Sequence, residues 1–315
     1  MLNYLAALNP AALLRSCPGG VAQGLIWGIM ALGVYITFRV LDTADLTVDG
    51  SLATGGAVCI MLVLGGVNPQ LALVLSFFAG VAAGIVTGFL HTVLGIPDIL
   101  AGILTQISLY SINLNIMGRA NQAVNVNQVS FYFTSNARLL NRTILLVAIL
   151  CTVLIALLYW YMGTEHGSSL RALGCNPNMS RAQGINTNAM KVVGLALSNG
   201  LVALSGGILS QYQGFADVNM GRGAIVIGLA AVIIGEVLGE ALLGKRLNFA
   251  GRLTFVVIGG VIYYIVYVFV LWLKFPADDM KLLTAIVVAL FLSVPYLKGK
   301  YFTKSKFQKE GGKHA

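Results

Sequence analysis

Long apolar runs, joined by shorter polar connections, make up most of this 315-residue chain. A helix needs about 17–25 predominantly apolar residues to cross the roughly 30 Å of hydrocarbon in a bilayer. Nine runs reach or approach this length, at residues 20–38, 52–67, 71–94, 99–117, 144–162, 192–209, 224–243, 253–273 and 282–297. The pattern predicts an all-α, polytopic membrane protein with about nine spans.

The composition agrees with this prediction. Apolar residues form 57% of the chain and charged residues only 10%, with a mean hydropathy of +0.85. A soluble domain typically carries about 25% charged residues to solvate its surface. The composition therefore excludes a soluble enzyme, and it excludes a nucleic-acid-binding protein although the net charge is +9. The four cysteines and three histidines are scattered without metal-ligand spacing, so we expect no metal site.

The lysines and arginines predict the orientation. With nine spans the two termini lie on opposite sides, and a cytoplasmic C-terminus puts 13 of the 20 basic residues on the cytoplasmic side. Basic residues concentrate in cytoplasmic loops, so we expect the N-terminus outside and the C-terminus inside. Residues 1–297 then form one transmembrane domain and residues 298–315 a basic cytoplasmic tail.

Two connections between spans are long. Residues 118–141 are polar and, on this orientation, extracytoplasmic, whereas residues 163–190 are cytoplasmic. The second stretch alternates apolar with basic residues, which suits a short helix that lies along a partner protein. The alternative is a solvated linker.

A partial phosphate-binding motif lies near the end of the seventh run. Residues 239–245 fit the pattern GxxxxGK, but Arg246 stands where a Ser or Thr must ligate magnesium, and an apolar helix rather than a strand precedes it. We therefore expect no ATPase site and no cofactor in this chain. If ATP drives the protein, another subunit binds ATP and magnesium.

Ionisable residues lie only near the ends of the predicted spans. Asp45 and Asp49 precede the second span, in a stretch whose Asp and Gly content predicts that the second span is discontinuous. The absence of a charge at any span centre argues against an ion-coupled carrier. Uncharged polar residues do occur in mid-span, notably Gln106, Asn113 and Asn199. They either line a water-filled path or join helices by hydrogen bonds.

Three segments resemble a known family. Residues 45–57 (DLTVDGSLATGGA) are similar to a segment after an early span of ribose-type and branched-chain-amino-acid-type ABC importer permeases. Residues 170–176 (LRALGCN), followed by Ala182 and Gly184-Ile185-Asn186, resemble the cytoplasmic loop of the same family, and residues 230–235 (AAVIIG) resemble a later stretch. The pattern looks closer to the amino-acid branch, including permeases for tryptophan or tyrosine, than to the sugar branch.

This resemblance implies a permease subunit that pairs with a second copy, with cytoplasmic ATPase subunits and with an external substrate-binding protein. It implies that the cytoplasmic loop couples the permease to the ATPase, through Arg171, Ala172, Leu173, Asn176, Arg181, Gly184 and Ile185. For the translocation path we expect Asp45, Asp49, Thr54, Gln106, Asn113 and Asn199. The alternatives are an ion-coupled transporter or facilitator and an integral-membrane lipid-modifying enzyme.

Overall fold

The computed structural model describes residues 10–124, 133, 139–244 and 247–273, together with the single positions 282, 285, 286, 289 and 293. Within these residues the chain is almost entirely helical. The helices are α1 Pro10–Tyr35, α2 Thr47–Leu64, α3 Pro69–Thr92, α4 Asp98–Met117, α5 Leu140–Gly163, α6 Glu165–Cys175, α7 Pro177–Ala182, α8 Thr187–Gln213, α9 Ala224–Leu243 and α10 Phe249–Trp272.

Eight helices in the described part of the chain are long and apolar enough to cross a membrane: α1 to α5 and α8 to α10. Each covers most or all of one of the first eight predicted runs, so the prediction of an all-α polytopic membrane protein is confirmed. The ninth predicted span, residues 282–297, falls almost wholly outside the described residues, as does the tail.

Helices α1, α2 and α8 form the buried centre of the bundle. Ile26, Ile29 and Met30 of α1, Leu52 and Ile60 of α2, and Val202 and Ile208 of α8 have no exposed surface. Glycines let these helices and their neighbours approach closely. A methyl group at Gly84 of α3 would overlap the Leu195 carbonyl oxygen of α8, and one at Gly24 of α1 would lie 2.6 Å from Val261 Cα of α10.

The prediction of a discontinuous second span is wrong: α2 is one continuous helix, and the break in the helical path lies before it, between the first two spans. A π-helical turn, Ile36–Val40, ends the first span, with Leu41 N–H bonded to the Ile36 carbonyl at 2.9 Å. Residues 41–46 are irregular, and Asp42 adopts a left-handed conformation with φ of 53°. The Asp45 carboxylate then accepts the Thr47 N–H at 2.9 Å and starts α2.

A short antiparallel ribbon joins two segments that follow membrane helices. Strand β1, Asn121–Ala123, comes after α4, and strand β2, Phe215–Asp217, comes after α8. Gln122 lies opposite Ala216 in the register. The ribbon therefore ties the ends of α4 and α8 together at one end of the bundle.

Candidate functional site

A cavity of about 230 Å³ opens beside the start of α2. Its wall comes from three elements: the first turns of α2, one side of α4, and the turn between β2 and α9. Its lining combines an acidic, a basic and several uncharged polar side chains with apolar ones, and consists of Asp49, Gly50, Ala53, Gln106, Ile107, Tyr110, Asn113, Val218 and Arg222.

Asp49 fixes the start of α9 beside the start of α2. Its Oδ2 accepts the Gly223 N–H and its Oδ1 accepts the Ile225 N–H, both at 2.9 Å. These amides belong to the first turn of α9, where N–H groups lack helical partners and a negative charge is favoured. Gly221, two residues before Gly223, packs directly on the Asp49 carbonyl oxygen. Two helix N-termini therefore meet at the edge of the cavity.

A separate hydrogen-bond network lies on the other side of α2. Asn199, near the middle of α8, donates from Nδ2 to Asp45 Oδ2 at 2.7 Å, and its Oδ1 accepts the Ser51 hydroxyl at 2.6 Å. The Thr47 and Thr87 hydroxyls are 2.8 Å apart, and Thr87 donates to Thr105 at 3.0 Å. These bonds join α2, α3, α4 and α8 at one level of the bundle.

The structure divides the predicted path residues among three environments. Asp49, Gln106 and Asn113 line the cavity together. Asp45 and Asn199 belong to the buried network, which makes them interhelical contacts. The Thr54 hydroxyl donates to the Gly50 carbonyl of its own helix at 2.9 Å, and Thr54 is not part of the cavity wall.

Two cavity residues with polar or charged side-chain groups, Tyr110 and Arg222, were missed in the sequence. Tyr110 lies four residues after Gln106 and three before Asn113, so the three share one face of a helix. That spacing was a readable signal for Tyr110. Arg222 lies in the turn before α9, 109 positions beyond Asn113, and no local pattern indicated that this turn reaches the cavity.

The outer face of α4 differs from those of α3 and α5. Most of the exposed side chains of α3 and of the middle of α5 are apolar, such as Phe78 and Leu145, which suits contact with lipid. The exposed face of α4 also carries Ser108, Ser111 and Asn115. Polar groups are disfavoured against hydrocarbon and collect where helices or water meet them. The α4 face is therefore suited to contact with protein or water.

The predicted coupling segment forms two short helices, α6 and α7, rather than a linker. The Thr164 hydroxyl accepts the Gly167 N–H at the start of α6, and the Asn176 side chain accepts the Met179 N–H at the start of α7. Gly184 has φ of +81°, a conformation that favours glycine, and lies in the turn between α7 and α8. Asn176 and Gly184 thus shape its backbone.

One side of α6 packs on the ends of the membrane helices. Gly167 lies against Tyr161 and Met162 at the end of α5, and Gly174 lies against the Val40 carbonyl oxygen at the end of the first span. Leu170 and Leu173 are buried beside them, Leu173 with 1% of its surface exposed. Movement of α6 would therefore act directly on the end of the first span.

The other side of the segment is exposed, and it contains most of the predicted contact residues. Arg171, Ala172 and Arg181 are exposed, and Ile185 is half-buried. Leu173 is a correction to the prediction: because it is buried, it anchors α6 instead of offering a contact surface. Met179 is also 62% exposed and was not among the predicted residues. Its flexible apolar side chain is of the kind found at adaptable protein contacts.

The comparisons with known proteins agree with the motifs. The model of the family described as branched-chain amino acid transport system / permease component matches residues 18–293. The chain belongs to this family. It is accordingly an integral membrane permease subunit of the ABC importer type, and the match takes in most or all of each of the eight membrane helices.

Two relatives of this permease are informative. The tyrosine transport system permease protein of Clostridioides difficile (strain R20291) is 38% identical over 274 residues, which are 87% of this permease and 89% of that protein. An uncharacterized protein of Rickettsia prowazekii (strain Madrid E) is 33% identical over 181 residues, 58% of this permease and 62% of that protein. No solved structure matches the permease significantly.

Proposed function

We propose that this permease carries an amino acid during ATP-driven uptake, with aromatic amino acids such as tyrosine as the first candidates. The observation that carries the proposal is the 38% identity, over 87% of the chain, to a permease named for tyrosine transport. The cavity beside α2 supports it, since Asp49, Arg222 and Tyr110 offer both charges and an aromatic ring to a passing solute.

The ATPase is a separate subunit, which itself binds ATP and magnesium. It docks on the exposed side of α6 and α7. Arg171, Met179 and Arg181 supply a mixed basic and apolar surface for this contact. In the permease, residues 239–243 of the partial phosphate-binding motif lie within α9, which gives them the intrahelical geometry of a membrane helix and not that of a phosphate loop.

Coupling follows a continuous series of contacts. The ATPase moves α6, and Gly174 of α6 transmits the motion to Val40. Val40 leads directly into the irregular residues 41–46, where Asp45 is bonded to Asn199. These residues precede the first turn of α2, which carries Asp49 and the cavity wall. Alternating access thus arises from movement of α2 against α4 and α9.

A second copy of the permease packs on the exposed face of α4, where Ser108, Ser111 and Asn115 would otherwise meet lipid. The cavity opens toward the same face through Ile107 and Tyr110, which are 62% and 42% exposed. A substrate-binding protein docks at the opposite end of the molecule from α6 and α7, near the β1–β2 ribbon. The path then runs between two copies of α4.

The membrane is the bacterial cytoplasmic membrane, with the N-terminus outside and α6 and α7 in the cytoplasm. The support is the distribution of charge: 13 of the 20 basic residues fall on the cytoplasmic side in this orientation. Residues 1–297 form the transmembrane domain, residues 163–190 the coupling segment, and residues 298–315 the cytoplasmic tail.

Reconstitution tests the proposed function. The permease, its ATPase and its binding protein are placed in proteoliposomes, and uptake of radiolabelled L-tyrosine, L-tryptophan and L-leucine is measured with ATP or a non-hydrolysable analogue. We expect accumulation of at least one amino acid that requires ATP hydrolysis and the binding protein. Uptake of all three at the rate of protein-free liposomes, by a complex that hydrolyses ATP, would contradict the proposal.

A further inference from the structure

Asn113 is an exception among the buried polar side chains of this permease. The side chain has no exposed surface, and neither Nδ2 nor Oδ1 has a hydrogen-bond partner among the described residues. Asn199 is buried to the same extent, yet its amide bonds Asp45, Ser51 and the Leu195 carbonyl. The side-chain amide is therefore hydrogen-bonded at Asn199 but has no partner among the described residues at Asn113.

An unpartnered amide is unfavourable inside a membrane protein, because a buried donor or acceptor loses its water and gains nothing in return. A leucine of similar shape would remove this penalty and still fill the space. The cavity that Asn113 lines supplies a reason for the amide. A solute there can donate to Oδ1 and accept from Nδ2.

The rest of the lining specifies which kind of solute fits. Asp49 offers a carboxylate that already accepts two backbone N–H groups and retains further acceptor capacity for an ammonium group. Arg222 offers donors for a carboxylate, and Tyr110 offers an aromatic face. The α9 N-terminus at the cavity edge also favours a negative group. Opposite charges, an amide and apolar walls together match a zwitterionic amino acid.

The size of the cavity agrees with such a solute. At about 230 Å³ it is smaller than the roughly 300–1,000 Å³ of pockets that hold drug-sized ligands, which leaves room for one small molecule. Its opening on the α4 face gives the solute a route in and out.

We propose that this cavity is an amino-acid binding site of the permease itself, and that Asn113 recognises the α-ammonium and α-carboxylate groups of the amino acid in transit. The inference rests on the proposed function and adds to it. Selection then takes place twice, once in the binding protein and once at this site.

Ligand-induced thermal stabilisation of the purified permease–ATPase complex tests this directly. A ligand that binds only the folded state raises the unfolding midpoint in proportion to the logarithm of its concentration over Kd. The probes are L-tyrosine, L-tryptophan and L-leucine, with tyramine and 3-(4-hydroxyphenyl)propionate as analogues that each lack one of the two charged groups. We expect a saturable rise with at least one amino acid and at least tenfold weaker binding of the analogues.

Three variants of the complex make the test specific. For Asn113→Leu we expect an unfolding midpoint without ligand that equals or exceeds that of the wild type, and amino-acid binding weakened about tenfold or more. Arg222→Gln tests the carboxylate contact separately and should weaken binding of the amino acids and the propionate but leave tyramine unaffected. Thr152→Ala, on the exposed, lipid-facing side of α5, is the control and should bind like the wild type.

The outcomes separate this inference from the proposed function. If the reconstituted complex transports an amino acid while Asn113→Leu binds and transports it with wild-type Kd and KM, the site is wrong and the proposed function stands. The same conclusion follows if the transported amino acid produces no thermal stabilisation at any concentration. If no amino acid is transported, the proposed function fails, whatever binds in the cavity.

Discussion

Asn199 donates from Nδ2 to Oδ2 of Asp45 over 2.7 Å, and both side chains are shielded from solvent. The two residues are 154 positions apart in the chain. Asp45 lies in the irregular stretch between the first two spans, and Asn199 lies near the middle of α8. This bond therefore holds the break in the helical path against the central helix of the bundle.

Replacement of Asn199 by leucine should destabilise the permease. The Asp45 carboxylate would lose an amide donor in a place where water cannot replace it, and Ser51 would lose its acceptor. We expect the free energy of unfolding to fall by about 2–3 kcal/mol. The measurement is unfolding in mixed micelles with increasing denaturing detergent. Asn141→Leu, at an exposed position in the first turn of α5, is the matched control, and an equal effect of the two substitutions would contradict the account.

Close packing of α2 on α8 should depend on Gly206. A methyl group there would overlap the Leu52 carbonyl oxygen. Because this oxygen belongs to the backbone, only a shift of the backbone could relieve the overlap. Gly206→Ala should therefore lower the free energy of unfolding by about 1–3 kcal/mol, as overpacking of a core does. Gly163→Ala is the control, because a methyl group at Gly163 has no atom within 4 Å. The same detergent titration compares them, and equal stability of both variants would argue against the tight α2–α8 contact.

The proposed pairing through α4 can be tested with cysteines. In a background with Cys17 and Cys175 replaced by serine, Ser111→Cys on the exposed face of α4 should form a disulfide-linked dimer under mild oxidation. Thr152→Cys on the exposed face of α5 should stay monomeric, since that face contacts lipid in our account. Non-reducing electrophoresis of membranes reports the result. Cross-linking through position 152 but not 111 would place the interface elsewhere.

Charge reversal on the exposed side of the coupling segment should release the ATPase. Arg171→Glu combined with Met179→Glu replaces a basic and an apolar contact by negative charge, while both side chains are exposed and their loss leaves the fold intact. We expect at least a tenfold loss of co-purified ATPase and of ATP-driven uptake. Arg142→Glu, an exposed position at the start of α5, is the control and should retain the ATPase.

Features set by local sequence were predictable. The length of an apolar run depends on neighbouring residues only, so eight spans could be found from the sequence and agree with the structure. Irregular backbone near Asp45 and Gly50 was also predictable, although it precedes α2 and does not interrupt that span as expected. The family could be inferred for the same reason, since each of its motifs is a short contiguous segment.

Features set by the packing of distant segments were not predictable. Asp45 and Asn199 were both expected in the path, but only the fold shows that they bond each other. Arg222 reaches the cavity because the turn before α9 folds back onto Asp49. Leu173 was misassigned because the sequence of a short helix with apolar and basic residues does not tell which face the rest of the protein covers.

The orientation and exposure of Cys175 test the central claim most directly. This thiol is exposed at the end of α6. In a Cys17→Ser variant, Cys175 is the accessible cysteine, because the remaining two, Cys59 and Cys151, are buried. The measurement is labelling by a membrane-impermeant maleimide. The account predicts labelling in inside-out vesicles stripped of the ATPase, protection when the ATPase is added back, and no labelling in intact spheroplasts. Labelling of Cys175 in intact spheroplasts would contradict the account.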